Sequence, residues 1–180
     1  PTFIGHYPTG RPADEDLSKD SARYMDIPIT PAYAFGHGLS YAAFEYGNLQ
    51  LSGETLAPAD TLTISVDVTN TSQADADEVV QLYVRDPVAQ VARPQQELRG
   101  FTRVSIAAGK TKRVAFTLRP EQFAYFAPSG QFEADAGQID FGIGAGSADI
   151  RLTGHFRLTA PVIADGPAAA LATPVSILEE

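Results

Sequence analysis

Carboxylates are the side chains of this sequence most able to do chemistry. Asp14, Glu15 and Asp16 form an acidic run of the kind that can bind a divalent cation. No glycine turn or further ligand follows at the usual spacing, so we expect a solvated acidic loop or helix start. Asp140 stands alone between Ile139 and Phe141, where the alternation of a strand points it outward. The sequence therefore predicts no metal site and no catalytic carboxylate.

Histidines and glycines give equally few signs of a reaction centre. His6, His37 and His155 lack metal-ligand spacing. His37 lies between two glycines, which indicates a tight bend, and without a visible catalytic partner we expect a packed or hydrogen-bonded ring. The glycine-rich run 142–146 has the spacing of a dinucleotide loop, but a strand follows it where a helix would be needed. We predict a β-turn there and no cofactor.

Composition limits the class of partner. The 180 residues are 44% hydrophobic, enough for a real core, and carry a net charge of −9, which would repel nucleic-acid phosphates and anionic membranes. The chain has no cysteine and no apolar run near the roughly 20 residues of a membrane helix. It begins with Pro1, without an initiator Met or a signal-peptide pattern, so we expect a processed or excised piece of a longer chain.

The elements that must position these side chains are β-strands. The run 78–86, EVVQLYVRD, is apolar on both faces and predicts a central strand covered from two sides. The alternating run 62–68 precedes it across a polar turn, and we expect the two to pair antiparallel. Gly100 predicts a bulge that puts Leu98 and Phe101 on one face. Further strands are expected at 44–51, 97–106, 112–118, 125–126, 131–134, 138–144 and 150–158, with one helical turn at 120–123.

This pattern predicts an all-β fold, an antiparallel two-sheet β-sandwich of seven or eight strands, because no helix of useful length separates them. Prolines interrupt residues 1–43, whose scattered aromatic side chains indicate an irregular extended arm that packs on something else. The sandwich is expected over 44–159. Residues 160–180, rich in Ala and Pro, are expected to form a tail on the surface or on a neighbour.

Several separated motifs resemble one enzyme family. The segments TGRP (9–12), SARYMD (21–26) and PAYAFGHGLSY (31–41) resemble the arm that precedes the C-terminal domain of glycoside hydrolase family 3 β-glucosidases. The segments EVVQLYVRD (78–86), ELRGF (97–101) and AGKT (108–111) resemble that domain, which is fibronectin type III-like and has an immunoglobulin-like sandwich fold. The resemblance spans roughly residues 5 to 158. The family more often has Pro at the position of Ala34 and Tyr at that of His37, which weakens any special role for His37.

The resemblance implies an accessory part of an enzyme. Family 3 enzymes are retaining glycosidases whose aspartate nucleophile and glutamate acid/base lie on two preceding domains, so no catalytic residue and no cofactor is expected in this chain. The parent enzyme would release terminal β-D-glucosyl residues. The partners would be those two catalytic domains of the same enzyme, with a homodimer left open and a periplasmic or secreted location. The arm residues expected to make interdomain contacts are Tyr7, Arg11, Arg23, Tyr24, Tyr33, Phe35 and Tyr41.

A different function stays open at this stage. A free-standing sandwich could bind carbohydrate or protein through its loops, using Tyr83, Tyr125 and Phe126 as an aromatic platform. The chain has no Trp, and these three rings are better explained as core or end-cap residues. Clear retardation of the isolated chain on soluble glucans would favour this binding function.

Overall fold

The structure is a computed structural model that describes residues 31–166 and 173–179. The strands are β1 (Phe44–Leu51), β2 (Thr55–Leu56), β3 (Leu62–Asn70), β4 (Ala76–Arg85), β5 (Glu97–Ile106), β6 (Thr111–Leu118), β7 (Tyr125–Phe126), β8 (Phe132–Ala134), β9 (Gly137–Gly146), β10 (Asp149–Leu158), β11 (Val162–Ile163) and β12 (Val175–Glu179). A 3₁₀ turn at Pro120–Phe123 is the one helical segment of the described residues. Seven of these strands have eight or more residues, which confirms the predicted all-β sandwich.

The strands form two main sheets around one core. The first sheet has the order β1-β3-β6-β12 and the second the order β2-β10-β9-β4-β5, while β11, β8 and β7 form a small third sheet. All pairs are antiparallel except the short β2–β10 pair. Alternate residues of β3 and β6 point into the core because side chains of a strand alternate between its faces. Phe116 is fully buried there, as predicted.

The predicted pairing of strands 62–68 and 78–86 is wrong. β3 pairs with β1 and β6, whereas β4 pairs with β5 and β9, so the two strands lie in different sheets. The polar segment between them crosses from one sheet to the other instead of making a hairpin. Asn70 fixes this crossing, since its buried side chain donates to the carbonyls of Ala74 (2.8 Å) and Ile106 (2.9 Å).

The predicted bulge at Gly100 is confirmed. Leu82 lies opposite Gly100 and Tyr83 lies opposite Leu98, which leaves Arg99 as the extra residue. Gly100 then faces the core, where a Cβ atom would lie only 2.8 Å from the ring of Phe116. Leu98 and Phe101 therefore share the outer face of the second sheet.

Two other segments differ from the predictions. The β-turn predicted in the run 142–146 is wrong, because β9 continues through Gly146 and the chain turns at residues 147–148. Gly144 is buried in this strand, where a Cβ atom would meet the backbone of Asp149 at 1.8 Å. Part of the expected surface tail is also a strand, since β12 pairs with β6 at the edge of the first sheet. The domain boundaries at 43 and 159 stay predictions.

Candidate interdomain interface

Large apolar side chains of the arm face solvent just before the sandwich begins. Between residues 31 and 43 the most exposed are Tyr33 (75%), Phe35 (66%), Leu39 (92%) and Tyr41, which is fully exposed. We call these four side chains the arm platform. The Tyr33 ring packs against His37, with ring centroids 5.3 Å apart. Exposing so many large apolar groups on one short segment is typical of a surface that meets a partner.

The backbone beneath the arm platform is fastened to the second sheet. The Gln81 side chain on β4 donates from Nε2 to the carbonyl oxygens of Gly36 (3.1 Å) and Ala145 (2.6 Å). The Tyr83 hydroxyl donates to Gln81 Oε1 at 2.6 Å and so fixes the orientation of the amide. In the turn that follows β9, the Ser147 N–H donates to the Phe35 carbonyl at 2.9 Å. We call this set of contacts the arm clamp.

Gly36 is required by the arm clamp for two reasons. Its φ of +75° lies in the left-handed region that residues with a Cβ atom rarely adopt. A Cβ atom at this position would also lie 2.2 Å from Gln81 Oε1, far inside van der Waals contact. The His37 N–H donates to the Ala34 carbonyl at 3.0 Å and closes the turn. The bend predicted around His37 is therefore confirmed, with His37 exposed on it.

A polar cluster fixes the point where the arm joins β1. Arg151 on β10 donates from Nη1 to the Phe44 carbonyl at 2.8 Å, and its guanidinium lies 4.6 Å over the Tyr46 ring. The Tyr46 hydroxyl donates to Glu78 Oε1 at 2.8 Å, so the cluster links both sheets. Burial raises the pKa of Glu78, and burial together with the neighbouring Glu78 carboxylate raises the pKa of Tyr46. Asp149 binds Arg151 at 2.8 Å, so the cluster contains two carboxylates and one guanidinium.

Several carboxylates outside this cluster are engaged by protein groups. Asp140 is half-buried and accepts from Gln138 Nε2 at 2.6 Å. Glu97 binds both Arg93 and Arg99 at 2.6 Å. Burial raises the pKa of Asp86, which lies near this group. Among residues 31–166 and 173–179, no three His, Cys, Asp or Glu side chains are grouped as a metal ion would require.

The structure places the predicted interface residues in two groups. Tyr33, Phe35 and Tyr41 lie together on the exposed arm segment, whereas Tyr7, Arg11, Arg23 and Tyr24 fall outside the described residues. The sequence analysis did not predict that Leu39 belongs to the arm platform or that Gln81 supports the arm backbone. Gln81 carried a usable signal, because a glutamine inside an apolar central strand must find hydrogen-bond partners when it is buried.

The aromatic platform of the alternative function does not form. Tyr83 and Tyr125 are buried, with exposed fractions of 3% and 4%, and only Phe126 of the three faces solvent. Tyr83 belongs to the arm clamp, and the Arg93 guanidinium covers the Tyr125 ring at 4.9 Å. Tyr83 and Tyr125 are therefore core residues, as the sequence favoured, whereas Phe126 is exposed.

Comparison with known proteins identifies the class of the sandwich. Residues 78–147 match the fibronectin type III-like domain family. This match includes the β4 and β9 strands that hold the arm clamp. The sandwich is therefore a fibronectin type III-like domain.

The comparisons also identify the enzymes to which this domain belongs. The periplasmic β-glucosidase of Salmonella typhimurium is 34% identical over 88% of this chain and 21% of its own length. The β-glucosidase of Rhizobium radiobacter is 44% identical over 72% of this chain and 16% of its own. A crystal structure of the Listeria innocua β-glucosidase in complex with glucose superposes with a TM-score of 0.77 at 30% identity, covering 86% of this chain and 22% of that one.

The chain thus spans about a fifth of the length of the relatives it matches. It belongs to the C-terminal, fibronectin type III-like region of glycoside hydrolase family 3 β-glucosidases. In the part of the chain that the structure describes, no helix is long and apolar enough to cross a bilayer.

Proposed function

We propose that this chain is the non-catalytic accessory domain of a family 3 β-glucosidase, and that its arm holds the sandwich against the two catalytic domains. One observation carries the proposal: the arm clamp fastens the arm's backbone while the arm platform points its apolar side chains away from the sandwich. A folded protein gains nothing from such an arrangement unless another surface covers the side chains.

In the proposed role, the arm backbone is held by the sandwich and the arm side chains bind the partner. The arm clamp fixes where the arm leaves the sandwich, so ordering the arm costs less conformational entropy when the partner binds. Tyr33, Phe35 and Tyr41 then act as aromatic anchors, the residue type that contributes most at protein interfaces. Tyr7, Arg11, Arg23 and Tyr24 would extend the contact along the arm, with each arginine suited to a bidentate bond to a partner carboxylate.

Catalysis is assigned to the rest of the parent enzyme. Retaining hydrolysis needs two carboxyl groups about 5 Å apart beside a bound sugar ring. The parent enzyme would release terminal β-D-glucosyl residues, the activity expected from the named relatives. A periplasmic or secreted location is proposed for it, since the Salmonella relative is named as periplasmic.

Association with a truncated relative tests the role. We expect the chain to bind the Rhizobium radiobacter β-glucosidase from which the matching segment has been removed, as measured by isothermal titration calorimetry. The triple variant Tyr33→Ser, Phe35→Ser, Tyr41→Ser should bind at least about tenfold more weakly, because the loss of a single aromatic hot spot costs about 2 kcal/mol or more. No association of the unmodified chain, or equal binding by the triple variant, would overturn the proposal.

A further inference from the structure

The arm platform supplies only part of the area that a specific interface needs. Its three aromatic rings would bury roughly 500 Å², at about 150–250 Å² for each ring. One side of a specific protein interface buries about 800 Å². The proposed function assigns more of this area to Tyr7, Arg11, Arg23 and Tyr24, and exposed apolar surface of the sandwich beside the arm can add to it.

The outer face of β4 and β5 has exposed apolar side chains that a partner surface could cover. Phe101 lies opposite Gln81 and Val79 lies opposite Arg103 in the β4–β5 register. Phe101 is 63% exposed and Val79 is 40% exposed, although both lie within strands and not in a loop. The bulge at Arg99 puts Phe101 on this face, since it shifts the alternation of β5 by one residue.

This face adjoins the arm clamp. Directly opposed residues of an antiparallel pair have Cβ atoms about 5 Å apart on the same face. Phe101 is therefore the cross-strand neighbour of Gln81, whose amide holds the Gly36 carbonyl of the arm. The partly buried Leu98 lies in the next row, opposite Tyr83 of the arm clamp. The Arg103–Asp77 ion pair gives the patch a charged edge, as at the rim of an interface.

We propose that the outer face of β4 and β5, centred on Phe101, is a second contact surface for the catalytic part of the full-length enzyme. This inference rests on the proposed function and extends it from the arm to the sandwich itself. The chain spans about a fifth of the related enzymes, and the family resemblance implies that their catalytic domains precede the arm. Because the arm is clamped beside Phe101, the catalytic part is tethered next to this face at a high effective concentration.

A matched pair of phenylalanines tests the contact. Phe126 on β7 is 62% exposed, almost the same as Phe101, and packs edge-on against Phe132 in the small third sheet. We compare Phe101→Ser and Phe126→Ser in the calorimetric assay with the truncated Rhizobium enzyme. Phe101→Ser should weaken binding by about tenfold, equivalent to about 1.4 kcal/mol, and Phe126→Ser by less than about twofold. Thermal unfolding of each variant alone checks that it folds, and Phe101→Leu should retain most of the affinity.

The outcomes separate this inference from the proposed function. If the triple arm variant loses affinity and Phe101→Ser does not, the second contact surface is refuted while the arm's role stands. An equal loss for Phe101→Ser and Phe126→Ser would also refute it, since the effect would then be nonspecific. If the unmodified chain does not bind, the proposed function itself fails.

Discussion

Single residues decide whether the arm stays on the sandwich, and Gly36 is the clearest case. Gly36→Ala would introduce both a strained φ and a clash with Gln81, so the arm should detach from the sheet. We expect amide exchange at Ser147, which donates to the Phe35 carbonyl, to accelerate by roughly tenfold, while global stability changes little. Gly38→Ala is the control, because a Cβ atom there meets nothing within 4 Å. Equal exchange in both variants would contradict the clamp.

The buried Glu78 makes stability depend on pH. Burial raises its pKa above the ordinary value of 4.5, so the folded protein binds this proton more tightly than the unfolded chain does. Its contribution to stability is therefore complete below pH 4.5 and is lost as pH rises through the raised pKa. Tyr46, Arg151 and Asp149 surround the Glu78 carboxyl group. Glu78→Gln removes the titrating group, so the free energy of unfolding of this variant should rise relative to that of the unmodified protein as the pH increases from 4.5 through the raised pKa.

Urea unfolding at several pH values from 4 to 8 measures this effect. Tyr46→Phe should steepen the pH dependence, because the Tyr46 hydroxyl donates to the Glu78 carboxylate and favours its charged form. The raised pKa would be ruled out if the difference in unfolding free energy between Glu78→Gln and the unmodified protein stayed constant from pH 4 to 8.

At the scale of elements, β6 carries the core of the first sheet. Phe116 is fully buried and meets Gly100 of the opposite sheet. Phe116→Ala should lower the free energy of unfolding by about 3–5 kcal/mol as a large-to-small core change. Phe101→Ala, on the exposed face of β5, should change it by no more than about 0.5 kcal/mol in the isolated chain. Similar losses for the two variants in urea unfolding would mean that the assignment of faces is wrong.

β12 covers the edge of the first sheet. Its residues pair with β6 from Val175 to Glu179, and Thr173 just before it accepts from Gln122 Nε2 at 2.7 Å. Ending the chain at residue 166 should lower stability by on the order of 2 kcal/mol, because the partly buried Val175 and the ladder hydrogen bonds are lost. The uncovered β6 edge should also promote association between copies, visible in size-exclusion chromatography. Ser176→Ala, at an exposed position, should neither lower stability nor promote association.

The limits of the sequence-based predictions follow from the range of the contacts. Strands with strict alternation, such as β3 and β6, were predictable because burial of one face requires that pattern. The sheet to which each strand belongs was not predictable, since the polar segment after β3 suits a hairpin and a crossing between sheets equally well. β12 was missed because its pairing with β6 depends on a distant edge. The exposed rings Tyr33, Phe35 and Tyr41 were predicted, but the Gln81 contact that supports them joins residues 45 positions apart.

For the whole molecule, the expected behaviour is binding without turnover. The 180-residue chain should not hydrolyse p-nitrophenyl β-D-glucoside, because the two carboxyl groups of a retaining enzyme, about 5 Å apart, are assigned to the catalytic domains. Measuring released nitrophenol over several hours checks this. Turnover that a single change such as Asp140→Asn abolishes would instead assign the reaction to this chain.

The arm clamp also sets the order of events during synthesis. Phe35 and Gly36 leave the ribosome well before Gln81, and Ser147 follows later still, so the arm cannot be seated until β4 and β9 have paired. Contacts between residues so far apart in sequence form late, because the intervening loop must first be closed. The arm platform is thus arranged only after β9 has been synthesised, so its seating follows the folding of the sandwich in any enzyme that contains it.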